Sequence, residues 1–397
     1  MIRKIKNITP AIITQPKVSS VHSPWNLKKI ANVECINKKD ANTILTIASK
    51  MFTDESEYLD KISRLKILKK SKNLLLKRSK DFAKLIALEG GKPLKDAIVE
   101  VKRAINGLEL CAEALKNSHG REIPMSLNTS SLNKMAFTRK FPVGPVFAIS
   151  AFNHPLNLIV HQVGPAVAAG CPIIIKPSID TPCTCYEFVK LLIESGLPEG
   201  FCQMINTNNH ATTQYLVSDS RISFFSFIGS ADVGWKLKSM LSPGTKCAME
   251  HGGVASVIID KDVNLKNILP SLIRGSFYHA GQVCVSIQKI IVHEDIIEDF
   301  LNSLKHLIGK IKVGDPSNIN TDVGPLIRPG EIKRVDRIIK EAIQEGAELI
   351  CGGEPKTKTT YKCTVLRNPK KSSAVSQKEI FGPVVSVYSY NEINNAI

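Results

Sequence analysis

A chain of 397 residues with 43% hydrophobic content has room for two or three domains with buried cores. It contains no apolar run near the about 20 residues of a membrane span, and its basic start, Met1-Ile2-Arg3-Lys4-Ile5-Lys6, lacks the apolar stretch of a signal peptide. The net charge of +17 comes from 41 Lys against 12 Arg with only 6% aromatics, which reads as a solvated lysine-rich face rather than a nucleic-acid surface. The ten cysteines look unpaired, which points to the reducing cytoplasm.

Taken in chain order, residues 54–89 carry apolar side chains at Leu59, Ile62, Leu65, Leu68, Leu75 and Leu76 and stop at Gly90-Gly91-Lys92-Pro93. The pattern predicts one long helix, and 94–117 a second. Residues 121–142 alternate as a β-hairpin does, with Ile123, Met125 and Leu127 and then Met135, Phe137 and Arg139. Strands are predicted at 146–150, 173–176, 203–205, 224–228 and 247–250. Helices at 156–169, 182–195, 211–218 and 231–240 fall between them, and this alternation predicts a parallel, doubly wound α/β sheet. A helix at 265–278 precedes the segment Gly281-Gln282-Val283-Cys284, and 391–397 predicts a last helix.

Three short segments carry groups of chemical interest: Phe152-Asn153-His154-Pro155, Glu250-His251-Gly252-Gly253 and Gly281-Gln282-Val283-Cys284. An amide, a carboxylate and a thiol are the groups needed to oxidise an aldehyde through a thioester. A thiolate adds to a carbonyl and later leaves. An amide donor stabilises the oxyanion, and a carboxylate takes a proton from water. Each residue also has a plain structural reading: Asn153 caps the following helix, and a lone cysteine is inert core. No GxGxxG occurs, but Gly229-Ser230-Ala231-Asp232-Val233-Gly234 follows a predicted strand and opens a helix. Its glycines allow close backbone approach, and a helix N-terminus favours phosphate.

In this order and at these separations the segments resemble the aldehyde dehydrogenase superfamily, from about Val21 to the last residue. The resemblance implies a Rossmann-type cofactor domain at 1–120 and 143–253, an oligomerisation hairpin at 121–142 and an α/β catalytic domain at 254–397. It implies Cys284 as nucleophile, Asn153 as oxyanion donor and Glu250 as general base. Ser150, Phe152, Lys176, Ser178, Gly229, Ser230, Gly234, Glu379 and Phe381 then hold the cofactor, NAD or NADP. Lys176-Pro177-Ser178 would contact the adenosine ribose, and Glu379-Ile380-Phe381-Gly382-Pro383 the nicotinamide side. NAD-preferring relatives usually place Glu three residues after the lysine; Ile179 stands here, which tilts the expectation toward NADP.

Most relatives have Leu where this chain has His251. His154, His251 and His279 all adjoin the catalytic segments, so an anionic aldehyde is one expectation, with His154 and His279 as substrate residues. No metal, nucleic acid or membrane is expected as a partner; a homodimer or homotetramer is, given a complete C-terminus. Members normally continue for several dozen residues past the Glu379 segment, so the chain reads as truncated. A coenzyme A-acylating semialdehyde dehydrogenase is one alternative, opposed by Glu250. A catalytically inactive homologue that binds only nucleotide or partner subunits is another.

Overall fold

The computed structural model describes residues 2–14 and 16–397; Met1, part of the basic N-terminal run, lies outside them. The chain opens with a small sheet of β1 (Arg3–Ile5), β2 (Lys17–His22) and β3 (Lys29–Cys35), in the order β1-β3-β2. Next comes α1 (Lys38–Thr53), started by a capping box in which Asn37 accepts from the Asp40 N–H and Asp40 accepts from the Asn37 N–H. The sequence reading contained neither this sheet nor α1.

The single helix expected over 54–89 is two, α2 (Lys61–Lys77) and α3 (Ser79–Gly90). The chain turns at Arg78, whose guanidinium forks onto Glu194 at 2.8 and 2.7 Å. Nothing in the apolar spacing marks that turn. Gly91 ends α3 in the left-handed region at φ 68°, where a Cβ would stand 2.7 Å from Pro325 and 2.8 Å from Pro24. Helix α4 (Leu94–Lys116) follows.

The expected hairpin is reduced to β4 (Glu122–Ile123) against β5 (Ala136–Phe137). Its apolar residues stay in solvent: Leu127 is 81% exposed, Met135 84% and Phe137 68%.

Five parallel strands then form a sheet in the order β10-β9-β6-β7-β8. They are β6 (Val146–Ile149), β7 (Ile173–Lys176), β8 (Cys202–Met204), β9 (Phe224–Gly229) and β10 (Lys246–His251). The crossover helices are α5 (Asn157–Ala169), α6 (Pro182–Glu194), α7 (His210–Val217) and α8 (Ala231–Lys238). The predicted strands and helices of this region all form, with ends shifted by one to a few residues. The reason is legible: Ile173, Ile174, Ile175 and Phe225 are fully buried, as a sheet covered on both faces requires.

A second five-stranded sheet follows in the order β11-β12-β15-β14-β13. Its strands are β11 (Ala255–Ile259), β12 (Ile287–His293), β13 (Glu348–Cys351), β14 (Thr364–Arg367) and β15 (Val384–Tyr390), with only β13 antiparallel. Helices α9 (Leu265–Phe277), α10 (Ile297–Ile308), α11 (Pro329–Gln344), α12 (Ala374–Gln377) and α13 (Ile393–Ala396) complete it. This sheet has its own core around Phe300, Val335 and Val387. Among the described residues no helix is long and apolar enough to cross a membrane, all ten cysteines are free, and no cluster of His, Cys, Asp or Glu is disposed to hold a metal ion.

Candidate active site and cofactor cleft

In the first sheet the strand order reverses between β6 and β9, so their carboxyl ends open a crevice where doubly wound sheets bind nucleotides. The register sets the rim: Ile149 pairs with Lys176 on one side and Phe227 on the other, and Glu250 and His251 pair with Ile228 and Gly229. Ser150, Lys176, Gly229 and Glu250 therefore share one edge.

Several polar groups on this edge are left open among the described residues. Ser230 stands at the N-cap of α8, yet its side chain makes no capping bond, so the first N–H groups of that helix are free. The buried Ser150 hydroxyl and the Glu379 Oε1 have no partner. Gly234 lets α8 approach the sheet: a Cβ there would stand 2.8 Å from Phe227 and 2.9 Å from Met249. Lys176 ends β7, and burial pushes its ammonium down, with Cys35 and Asp180 acting the other way. The Ser178 hydroxyl is 3.3 Å from Asp180, and Asp180 is forked onto Arg328 at the start of α11. A free helix N-terminus and unpaired buried oxygens suit a phosphate- and ribose-bearing cofactor.

The second sheet brings the thiol to this edge. After α9 the chain passes through three successive left-handed residues, His279 at φ 50°, Ala280 at 57° and Gly281 at 70°. Gln282 braces the loop: its amide donates to the carbonyls of His279 and Pro325 at 3.2 and 3.3 Å, and its oxygen accepts from the Ile327 N–H at 2.9 Å. Cys284 emerges exposed on the far side. Burial of its sulfur pushes the thiol up, and the charges of Glu379 and then Glu250 push the same way. The thiol is thus near the charges of two carboxylates, Glu250 of β10 and Glu379 in the loop before β15.

Asn153 follows β6 and is 5% exposed, with its Oδ1 buried and unpaired. Phe152 meets Phe381 edge-on at 5.8 Å, which ties the Asn153 turn to the Glu379 segment. That segment is fixed by Arg334, which donates to the Ile380 carbonyl at 2.6 Å, and by Gln288, which accepts from the Ile380 N–H at 2.9 Å. Burial raises the Glu379 carboxyl, opposed by the Gly253 N–H, Arg334 and His251. His251 itself packs on Trp235, ring centres 5.1 Å apart.

The structure separates the two histidines expected to meet substrate. His279 is 0% exposed and neither ring nitrogen has a partner among the described residues, because the left-handed run turns it inward beneath the loop. His154 stays close to Asn153 and meets Tyr278 edge-on at 6.1 Å. Sequence reasoning did not pick out Lys92, Glu100 or Arg103. Lys92 contacts His154 Nδ1 at 2.7 Å and Glu100, while the charge of Arg103 reaches His154, His161 and Tyr278. In the sequence, Lys92 is one lysine in a turn and no spacing signals its burial.

Two α/β sheets facing one edge, with a nucleotide crevice on one and an exposed thiol on the other, define a dinucleotide-dependent oxidoreductase. The chain matches the aldehyde dehydrogenase family over residues 13–397 and belongs to it. It is 35% identical over 385 residues to 3-sulfolactaldehyde dehydrogenase of Priestia aryabhattai, covering 97% of this chain and 80% of that protein. Aldehyde dehydrogenase 21 from Physcomitrella patens, solved with its reaction product succinate, superposes with a TM-score of 0.94 at 29% identity, covering 100% of this chain and 82% of that one. Glyceraldehyde-3-phosphate dehydrogenase from Methanocaldococcus jannaschii, solved with NADP, gives 0.90 at 31% identity, covering 96% and 82%. The family's activity is NAD(P)-dependent aldehyde oxidation, and these relatives favour neither the coenzyme A-acylating nor the inactive alternative.

Proposed function

We propose that this chain oxidises an aldehyde carrying an anionic group to the carboxylic acid, with Cys284 as nucleophile. The carrying observation is the ring of Tyr278: the Arg274 guanidinium stands 5.7 Å from its centre and the Lys92 ammonium 5.9 Å. Arg103 adds a third cation there and has no ion pair among the described residues. Arg274 is paired with Asp96 and Lys92 with Glu100, which leaves Arg103 as the cation beside Tyr278 open to a negatively charged substrate. The sulfonate, succinate and phosphate in the relatives' names are of that class.

In this reading the Cys284 sulfur adds to the carbonyl carbon, and the Asn153 amide and the Cys284 N–H receive the new oxyanion. A bound nicotinamide would supply the hydride acceptor. Ser150, Lys176, Ser178 and the Gly229–Gly234 turn would hold the nucleotide, and Phe152, Glu379 and Phe381 its nicotinamide side. Glu250 then takes a proton from water as its oxygen attacks the thioester carbon, and the acid leaves as the Cys284 thiol is restored. Ile179 adds no carboxylate beside Lys176, and the nearby Asp180 is paired with Arg328, so a 2′-phosphate meets less repulsion there, which favours NADP. The exposed Leu127, Met135 and Phe137 of the hairpin suit pairing with a second copy of the chain.

The test is reduced-cofactor formation with succinic semialdehyde and with a neutral aldehyde of matched length, in wild type, Cys284→Ala and Arg103→Met. Turnover vanishes in Cys284→Ala. In Arg103→Met the KM for the anionic aldehyde rises about tenfold with kcat little changed, as loss of a charged contact predicts. Equal kcat/KM for both aldehydes in wild type removes the anionic reading.

A further inference from the structure

We infer that Lys92 sets the tautomer of His154, so that His154 presents Nε2–H as a donor to the anionic group of the substrate. The inference rests on the anionic-substrate reading above for the ligand, and on hydrogen-bond geometry alone for the tautomer.

Lys92 is 0% exposed, held between the left-handed Gly91 and Pro93. Its ammonium faces Glu100 on α4 and Nδ1 of His154 at 2.7 Å. The other oxygen of Glu100 accepts from the Leu156 and Asn157 N–H groups at 2.9 and 3.1 Å, where α5 begins. Glu100 therefore meets three donors and no acceptor, which suits a carboxylate; burial works against the charge of Lys92, and Glu100 opposite it favours the ammonium. An ammonium has no lone pair to offer. Where it meets His154 Nδ1, the nitrogen must be the acceptor, and the ring proton resides on Nε2.

A competing acceptor makes Lys92 decisive. The Asn153 carbonyl oxygen lies 2.8 Å from the same Nδ1. Without Lys92 that carbonyl would take an Nδ1–H, and Nε2 would turn from donor to acceptor. Nε2 has no hydrogen-bond partner among the described residues, and it is not sealed off as both nitrogens of His279 are. Burial and the charges of Lys92 and Arg103 keep the ring neutral, so it donates without itself being a cation. The Tyr278 edge contact fixes its plane. Lys92 is thus a positioning residue acting through His154.

The experiment is a long-range nitrogen–proton NMR spectrum of the full chain with labelled histidine, His154 being assigned by its loss in His154→Gln. Wild type is expected to show His154 neutral and protonated at Nε2. In Lys92→Met the proton moves to Nδ1, and the KM for succinic semialdehyde rises about tenfold. A wild-type spectrum with Nδ1–H or an imidazolium overturns the inference, and needs no variant to fold. An unmoved proton in folded Lys92→Met overturns it too. If the tautomer is as inferred but wild type prefers neutral aldehydes, the substrate-donor role is overturned and the tautomer assignment stands.

Discussion

Gly253 is pressed against the backbone of Cys284: a Cβ on Gly253 would lie 2.6 Å from the Cys284 carbonyl oxygen. The segment that follows Glu250 is therefore in contact with the nucleophile's own main chain. Only a residue without a side chain permits this approach. Gly253→Ala is expected to push the two apart and cut kcat by about a hundredfold, since a misplacement of about 1 Å costs that much. Thermal denaturation beside the rate measurement separates loss of geometry from loss of fold; an unchanged kcat would sink the idea.

The charge of Glu379 raises the Cys284 thiol more than that of Glu250 does. Glu379→Gln should lower that thiol's pKa and speed its alkylation by iodoacetamide near neutral pH several-fold, because the thiolate is the reacting form. Rates measured against pH in the cofactor-free chain read the shift directly. A slower reaction in the variant would contradict the placement.

Ile179 follows Lys176 by three residues, next to the Asp180–Arg328 pair. Ile179→Glu should move preference toward NAD by about tenfold or more, through a carboxylate that binds ribose hydroxyls and repels a 2′-phosphate. The ratio of kcat/KM for the two cofactors, compared with wild type, is the measurement.

Glu89 is fully buried and accepts from the Cys183 and Thr184 N–H groups at 2.8 Å each, joining α3 to the start of α6. Burial pushes its carboxyl up to about 7, against the pull of those N–H donors. A folded-state value above the unfolded one means stability is fully present below pH 4.5 and is lost as pH rises toward 7. A shift of that size corresponds to up to about 3 kcal/mol. Denaturant midpoints of wild type should fall across this window, and those of Glu89→Gln should fall less while starting lower, since an amide cannot accept from both N–H groups. Parallel curves would refute the assignment.

The parallel sheet from β6 to β10 was legible because buried strands and their helices have different apolar periods. The three catalytic segments were legible because each pairs a reactive side chain with Gly or Pro. The turn at Arg78 was not, because nothing in the local apolar spacing marks it, and its partner Glu194 lies 116 residues away in sequence. Capping at Asn37 is local, and the stripe Ala41, Ile44, Leu45, Ala48 and Met51 behind it was a legible helix signal that the sequence reading passed over. His279 misled for a related reason: adjacency to Cys284 along the chain says nothing about which side of a left-handed turn a ring occupies. Lys92 and Glu100 were invisible as a pair, since burial of charge is decided by what surrounds it in space.

Glu100 accepts from the first N–H groups of α5 and also anchors the ammonium that touches His154. One carboxylate thus braces both the start of a central helix and the ammonium beside His154. Altering Glu100 to admit a different aldehyde would also free the first N–H groups of α5. Arg103, exposed and one turn further along α4, carries no such double duty. Adaptation to new substrates has an unencumbered route there, and variation among relatives in this pocket should accumulate at position 103 before it reaches position 100.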